Sequence, residues 1–389
     1  MRSVLRIIGA ACLATFTLAL AAGAAAASDV TGHVYVNDNT AGENTIAAFD
    51  RHADGSLTPM LGSPFAAGGA GTGTVVGSQG ALQVTDDGRF LIAADAGTNQ
   101  VSVLRIRPDG SLANVPGSPV GSGGFEPVSI AVHGGLVYVA NEGSKATGTG
   151  SNYTGFRLNP VGRLIPIPGS TVPLPSTANP GDILFNSTGT NVIGIEVGTT
   201  DPATFRIDSF TVRPDGRLAP AAGSPFAAEA AGPFGSEFSP ADPTHLYVSN
   251  AHGGAGNGSV SAFHVAGDGA LAAIGSSPYP DFQTAPCWVE ISHDGRYLFT
   301  VNTGSTSISS YGIAGDGSLA YLSTTNFKNG PGIRPFDARL DPSGADLYVV
   351  DAALDAVSGF AVNGGSLSEL ASSAFALPAG ATPFGIVTT

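Results

Sequence analysis

Asp54-Gly55-Ser56-Leu57 returns as Asp109-Gly110-Ser111-Leu112. It returns again as Val161-Gly162-Arg163-Leu164, Asp215-Gly216-Arg217-Leu218, Asp268-Gly269-Ala270-Leu271, Asp316-Gly317-Ser318-Leu319 and Gly364-Gly365-Ser366-Leu367. The second glycine position stands at 55, 110, 162, 216, 269, 317 and 365, so the spacing runs from 48 to 55 residues. A second marker keeps the same register. Ser63-Pro64-Phe65 recurs as Ser118-Pro119-Val120, Ser170-Thr171-Val172, Ser224-Pro225-Phe226, Ser277-Pro278-Tyr279, Thr325-Asn326-Phe327 and Ser373-Ala374-Phe375. Two independent markers at one spacing define a unit of about 50 residues, present seven times.

Each unit reads as four short strands. In the sixth they are expected over Trp288-Ser292, Tyr297-Asn302, Ser307-Ile313 and Leu319-Leu322. Alternating apolar positions and the Asp-Gly turns at 294–295 and 316–317 indicate antiparallel hairpins. Four strands per 50 residues, repeated radially, predict an all-β, seven-bladed β-propeller of four-stranded antiparallel blades. Seven second strands are marked by Val34, Leu91, Val137, Val192, Leu246, Leu298 and Leu347. The first of them lacks a strand before it, and Pro383-Phe384-Gly385-Ile386-Val387 supplies one. The two ends of the chain therefore close one blade, which removes free inner edges.

Composition agrees. The chain has 55 Gly and 27 Pro in 389 residues, a content hostile to helices and suited to turns. Arg2 and Arg6, the apolar run Ile7–Leu20 and the small residues Ala25-Ala26-Ala27 read as a secretory signal peptide over 1–27. That leaves a single domain over 28–389 and a secreted, extracytoplasmic location. No later segment is long and apolar enough to span a bilayer. The whole chain carries a net charge of −14, with 16 basic and 30 acidic residues. Such an acidic surface argues against nucleic acid as a partner. Cys287 is the one cysteine after the leader, so no intramolecular disulfide is available to it. A monomer is expected.

The inner strands line a central channel. The loops leading into them, such as Ala231-Gly232-Pro233-Phe234 and Ile333-Arg334-Pro335-Phe336, share a proline that fixes φ. These loops and the second-to-third-strand loops are expected at one mouth. There a polar residue ends every second strand, including Asn141, Asn250 and Asn302, with His252 nearby. Such residues either cap turns or form a polar ring for a sugar or a cation. On the inner strands, Asp182, Glu237, Glu290, Asp337 and Arg339 are expected to face the channel. Glu237 and Glu290 share a register, each four residues after the proline. A facing pair of carboxylates could do acid–base work or hold a divalent cation such as calcium. No other cofactor is indicated. Arg334, Arg339 and Lys328 are expected around one loop and are the best anion-binding candidates in so acidic a chain.

The units Asp294-Gly295-Arg296-Tyr297-Leu298-Phe299-Thr300-Val301-Asn302 and Ala345-Asp346-Leu347-Tyr348-Val349-Val350-Asp351 resemble the lactonase-type seven-bladed propellers. That family includes propeller 6-phosphogluconolactonases and carboxymuconate cyclases. The resemblance covers 33–389. It implies a lactonase-like hydrolase acting on a small sugar lactone, which the leader would make a secreted one. Glu237 or Glu290 would serve as general base, Arg334 or Arg339 would stabilise the oxyanion, and Asp182, Asp337, Asn141, Asn250, His252 and Asn302 would bind substrate. The family's frame Gly-Pro-Arg-His reads here Gly232-Pro233-Phe234-Gly235, with Phe234 for the Arg and Gly235 for the His. This departure keeps open a non-catalytic binding or scaffold propeller that recognises a glycan, with a cyclase or isomerase as the remaining alternative.

Overall fold

The computed structural model describes residues 29–144, 146–330 and 332–389. The signal peptide read at 1–27 lies outside the described residues. The described chain forms seven separate antiparallel sheets. Its one helical element is a three-residue 3-10 turn, Pro202–Thr204.

The predicted closure is present. In the first blade, Ile386–Thr388 is the inner strand and pairs with Val30–Asn37, placing Val36 opposite Ile386 and Val34 opposite Thr388. Backbone bonds from His33 N to Thr389 O and from Phe384 N to Asn37 O extend the seam. The sixth blade reads Pro286–Ile291, Tyr297–Asn302, Ser307–Ile313 and Leu319–Asn326, close to the strands expected from its sequence.

The two sequence markers have separate structural roles. At four junctions the turn is hydrogen-bonded to the neighbouring blade. Tyr35, Tyr138, Tyr247 and Tyr348, on the second strands of blades one, three, five and seven, donate their hydroxyls to the carbonyls of Gly110, Gly216, Gly317 and Gly55 in the next blade. Gly110 has φ 78°, and a Cβ there would collide with the His33 ring. The repeat therefore keeps glycine for both conformation and space.

The Ser-Pro-Phe marker sits where the outermost strand breaks into two short pieces. The serine hydroxyl replaces the lost ladder acceptor. Ser63, Ser118, Ser170, Ser224, Ser277 and Ser373 each accept a backbone N–H from the third strand at 2.7–3.2 Å. In the sixth blade Thr325 stands in this position, and there the outer strand runs unbroken to Asn326.

Candidate active site

In blades three to seven the inner strand starts at the expected proline, followed by a register shift. Such a shift bends the strand and re-aims its side chains. The register also assigns each residue to an end of the channel. Pro127, Pro180, Pro233, Pro286 and Pro335 pair with Asn141, Glu196, Asn250, Asn302 and Asp351. That is the end where the lead-in and second-to-third loops meet. Glu237, Glu290 and Arg339 pair with Tyr247, Phe299 and Tyr348, toward the opposite end.

The lead-in end is sealed. Trp288 stacks on Phe336, with centroids 4.8 Å apart, and meets the edge of Phe234 at 5.2 Å. Its Nε1 donates to the Ser78 carbonyl at 2.8 Å. Ser78 belongs to a segment that crosses the channel before the short inner strand of blade two, Leu82–Val84. Gln79 is the bolt of this segment. Its Nε2 donates to Ser236 O at 2.7 Å, its Oε1 accepts from Val289 N at 3.0 Å, and its backbone N donates to Gly181 O at 2.9 Å. A Cβ on Gly235 would strike Gln79 Oε1 and the Cys287 carbonyl. The space where the resembling family would put a His is therefore filled. Phe384 is buried in the same cluster as Val76 and Ala81.

The opposite end is open. Two joined lobes of about 320 and 180 Å³ share Gln83, Glu237 and Arg339 as walls. Arg339 Nη1 lies 3.1 Å from Glu290 Oε2 and 3.8 Å from Glu237 Oε2. The two glutamates expected as a pair thus meet through the guanidinium, which occupies the position a shared cation would take. Among the described residues no group of three or more His, Cys, Asp or Glu is arranged to hold a metal ion.

Three of the four channel carboxyls are committed to backbone donors. Asp182 accepts from Ser236 N at 3.0 Å and from the Ser236 hydroxyl at 2.7 Å. Glu290 Oε1 accepts from Leu340 N at 3.0 Å. Asp337 accepts from Ala338 N at 2.9 Å and Gly80 N at 3.4 Å. Glu237 differs: its carboxyl makes no hydrogen bond among the described residues. Its side chain is 29 % exposed to the cavity, against 7 % for Glu290.

Burial, reinforced by Glu290 and Asp182, pushes the Glu237 carboxyl up to about 8 despite Arg339. Burial also raises Glu290, against the pull of Arg339 and the Leu340 N–H. It lifts Asp182 to about 7 and Asp337 to about 6, with hydrogen bonds and Arg339 respectively opposing it. Arg339 is itself held above its ordinary value. Burial works against its charge, but the surrounding carboxylates outweigh it.

The other expected site residues lie elsewhere. Arg334 is five residues from Arg339, roughly 16 Å along an extended strand, and its guanidinium lies over Phe336 on the sealed side, 5.6 Å from the ring centroid. Lys328 does not join either arginine. Its Nζ donates to Leu370 O at 2.8 Å and its backbone N to Glu369 at 2.6 Å. The expected three-cation cluster is thus not formed, because the lysine is drawn to the outer strand of the next blade.

Asn141, Asn250 and Asn302 are buried, and their amides donate to Asn152, Ser261 and Ser309 at 2.9–3.0 Å. Their Oδ1 atoms are buried without a protein partner. His252 is exposed on the following loop. His293, which the sequence reading left unassigned, lies at the rim of the open end with Nε2 2.8 Å from Asp341 O. A separate groove of about 380 Å³ between blades two and three is lined by Arg89, Asp87 and Phe90. Its arginine is already paired with Asp87 at 3.5 Å, and it gathers no convergent set of groups.

The family model described as "Lactonase, 7-bladed beta-propeller" matches residues 31–149 and 204–385. Among solved structures, a candidate 6-phosphogluconolactonase from Bacteroides uniformis ATCC 8492 superposes with a TM-score of 0.72 at 19 % identity, covering 93 % of this chain and 100 % of that one. The periplasmic gluconolactonase PpgL of Pseudomonas aeruginosa gives 0.70 at 17 % identity, covering 92 % and 98 %. Identities this low speak for the fold alone. No curated protein matches the sequence. With the family match spanning most of the seven blades, the chain belongs to the lactonase family of seven-bladed β-propellers.

Proposed function

We propose that the protein is an exported lactone hydrolase whose reaction takes place at the open end of the channel. The observation that carries this reading is Glu237: a carboxyl with a raised pKa, free of hydrogen bonds, beside a guanidinium on a cavity wall. In its ionised form Glu237 takes a proton from water as that water attacks the ring carbonyl. Arg339, held by Glu290, faces the oxygen on which negative charge develops. Collapse of the tetrahedral intermediate breaks the ring C–O bond. Glu237 then returns its proton to the leaving ring oxygen, giving the open hydroxy acid. Asp182 and Asp337 support the neighbouring strands. Export is supported by the leader-like composition of residues 1–27.

The test is proton release by the purified protein against a panel of sugar lactones, with Glu237→Gln and Arg339→Met alongside. The reading expects turnover above the blank, lowered at least about 100-fold in Glu237→Gln. A second reading, a binding propeller without catalysis, is favoured by the aromatic seal at the lead-in end. It would be selected if the folded protein showed no turnover across the panel.

A further inference from the structure

We propose that the open-end cavity takes a small uncharged lactone and rejects one bearing a phosphate. The inference rests on the lactone reading of that cavity, but its charge preference is read from binding alone.

The titratable groups that line the two lobes are Asp182, Glu237, Glu290, Arg339 and, at the rim, His293, whose Nε2 lies 2.8 Å from the Asp341 carbonyl. The one guanidinium among them is already engaged. Arg339 faces Glu290 at 3.1 Å and Glu237 at 3.8 Å. A phosphate that captured it would leave Glu290, only 7 % exposed, without its counter-charge, and an unpaired buried charge is strongly unfavourable. The backbone donors that could substitute are also taken. Ser236 N, Leu340 N and Gly80 N point at Asp182, Glu290 and Asp337. The protein's own carboxylates thus occupy the places where an anionic ligand would bind.

Arg334 cannot help, because it lies behind the Trp288–Phe336 stack and the Gln79 segment. Size narrows the class further. The lobes total some 500 Å³ and are closed at the inner end, so one sugar-sized ring fits and a polymer cannot thread through. Ile291, Val387 and Pro342 give the rim an apolar side, which suits the ring face of such a molecule.

The probes are D-glucono-δ-lactam, whose ring amide is far less electrophilic than the ester of the lactone, and the 6-phosphate of the same lactam. Calorimetry at low ionic strength should show the uncharged lactam binding at least about 30-fold tighter, the scale of one uncompensated like-charge contact in a partly wet cavity. Added salt should shrink that ratio. Gln83→Arg adds a cation to the shared wall and should bring the ratio below about fivefold. Equal or tighter binding of the phosphorylated lactam, or no binding of either, overturns the inference. If the lactam preference holds but no lactone is turned over, the hydrolase reading fails and the ligand class stands. If lactones are turned over but the phosphorylated lactam binds better, the ligand class fails and the hydrolase reading stands.

Discussion

In blade five, Phe234 packs against Trp288 at one end of the inner strand, while three residues on, roughly 10 Å along it, Glu237 faces an open cavity. Blade seven repeats the division with Phe336 and Arg339. In blades five to seven the inner strand thus gives its first residues to a closed seal and its later ones to an open charged site. Position along the strand, more than blade identity, decides whether a side chain closes the channel or works in it. The long loops that draw the eye in the sequence gather at the sealed end. The short first-to-second-strand turns surround the open one, with Pro240, His293 and Pro342 at its rim.

The largest effect expected from this contrast is on activity. Glu237→Gln should cut kcat/KM at least about 100-fold, whereas Arg334→Ala, on the far side of the seal, should leave it within about twofold. Equal losses in both would erase the difference between the ends. Next comes stability. Trp288→Ala empties the centre of the seal and should cost about 3–5 kcal/mol in urea unfolding. Gln79→Ala removes two buried hydrogen bonds and leaves Ser236 O and Val289 N without partners, a loss of about 1–3 kcal/mol. A wild-type midpoint in either variant would mean that the segment before Leu82 does not hold the channel closed.

The smallest effect is with pH, and its sign differs between activity and stability. Glu237 must be ionised to act as base, so kcat/KM should rise with pH through its raised pKa of about 8. The folded state holds protons on Glu237 and Asp182 up to about 8 and 7, whereas the unfolded chain releases them in the ordinary carboxyl range. Between those limits the native state binds more protons, so stability declines as pH rises. The melting temperature should be higher at pH 5 than at pH 9, and Glu237→Gln should flatten part of that slope.

The repeat made the fold legible. Two markers fixed the number of blades, and the unmatched first strand pointed to the C-terminal strand that closes the ring. One marker was offset: in the last unit Gly364, not Gly365, takes the positive φ. The Glu237–Glu290 register was legible because both follow their proline by four residues. That Arg339 would stand between them was not, since sequence does not show which way a side chain leans across blades. Phe234, Phe336 and Phe384 read from the sequence as residues that could plug the channel, but the segment that carries Gln79 across it did not. The glycine run over 68–77 reads as a long loop, and the residues after it cross the channel. A signal was present: Ser63 to Leu91 spans 28 residues where the equivalent stretch in the later blades takes 19 to 22. Blade two also lacks the proline that starts the inner strands of blades three to seven.

Which end of the channel binds the ligand is decided most directly by a crystal structure of the protein with D-glucono-δ-lactam. The account predicts the lactam carbonyl within about 3 Å of the Arg339 guanidinium, with Glu237 beside it. A lactam seated instead among Asn141, Asn250, Asn302 and His252, with the Glu237 cavity empty, would contradict it.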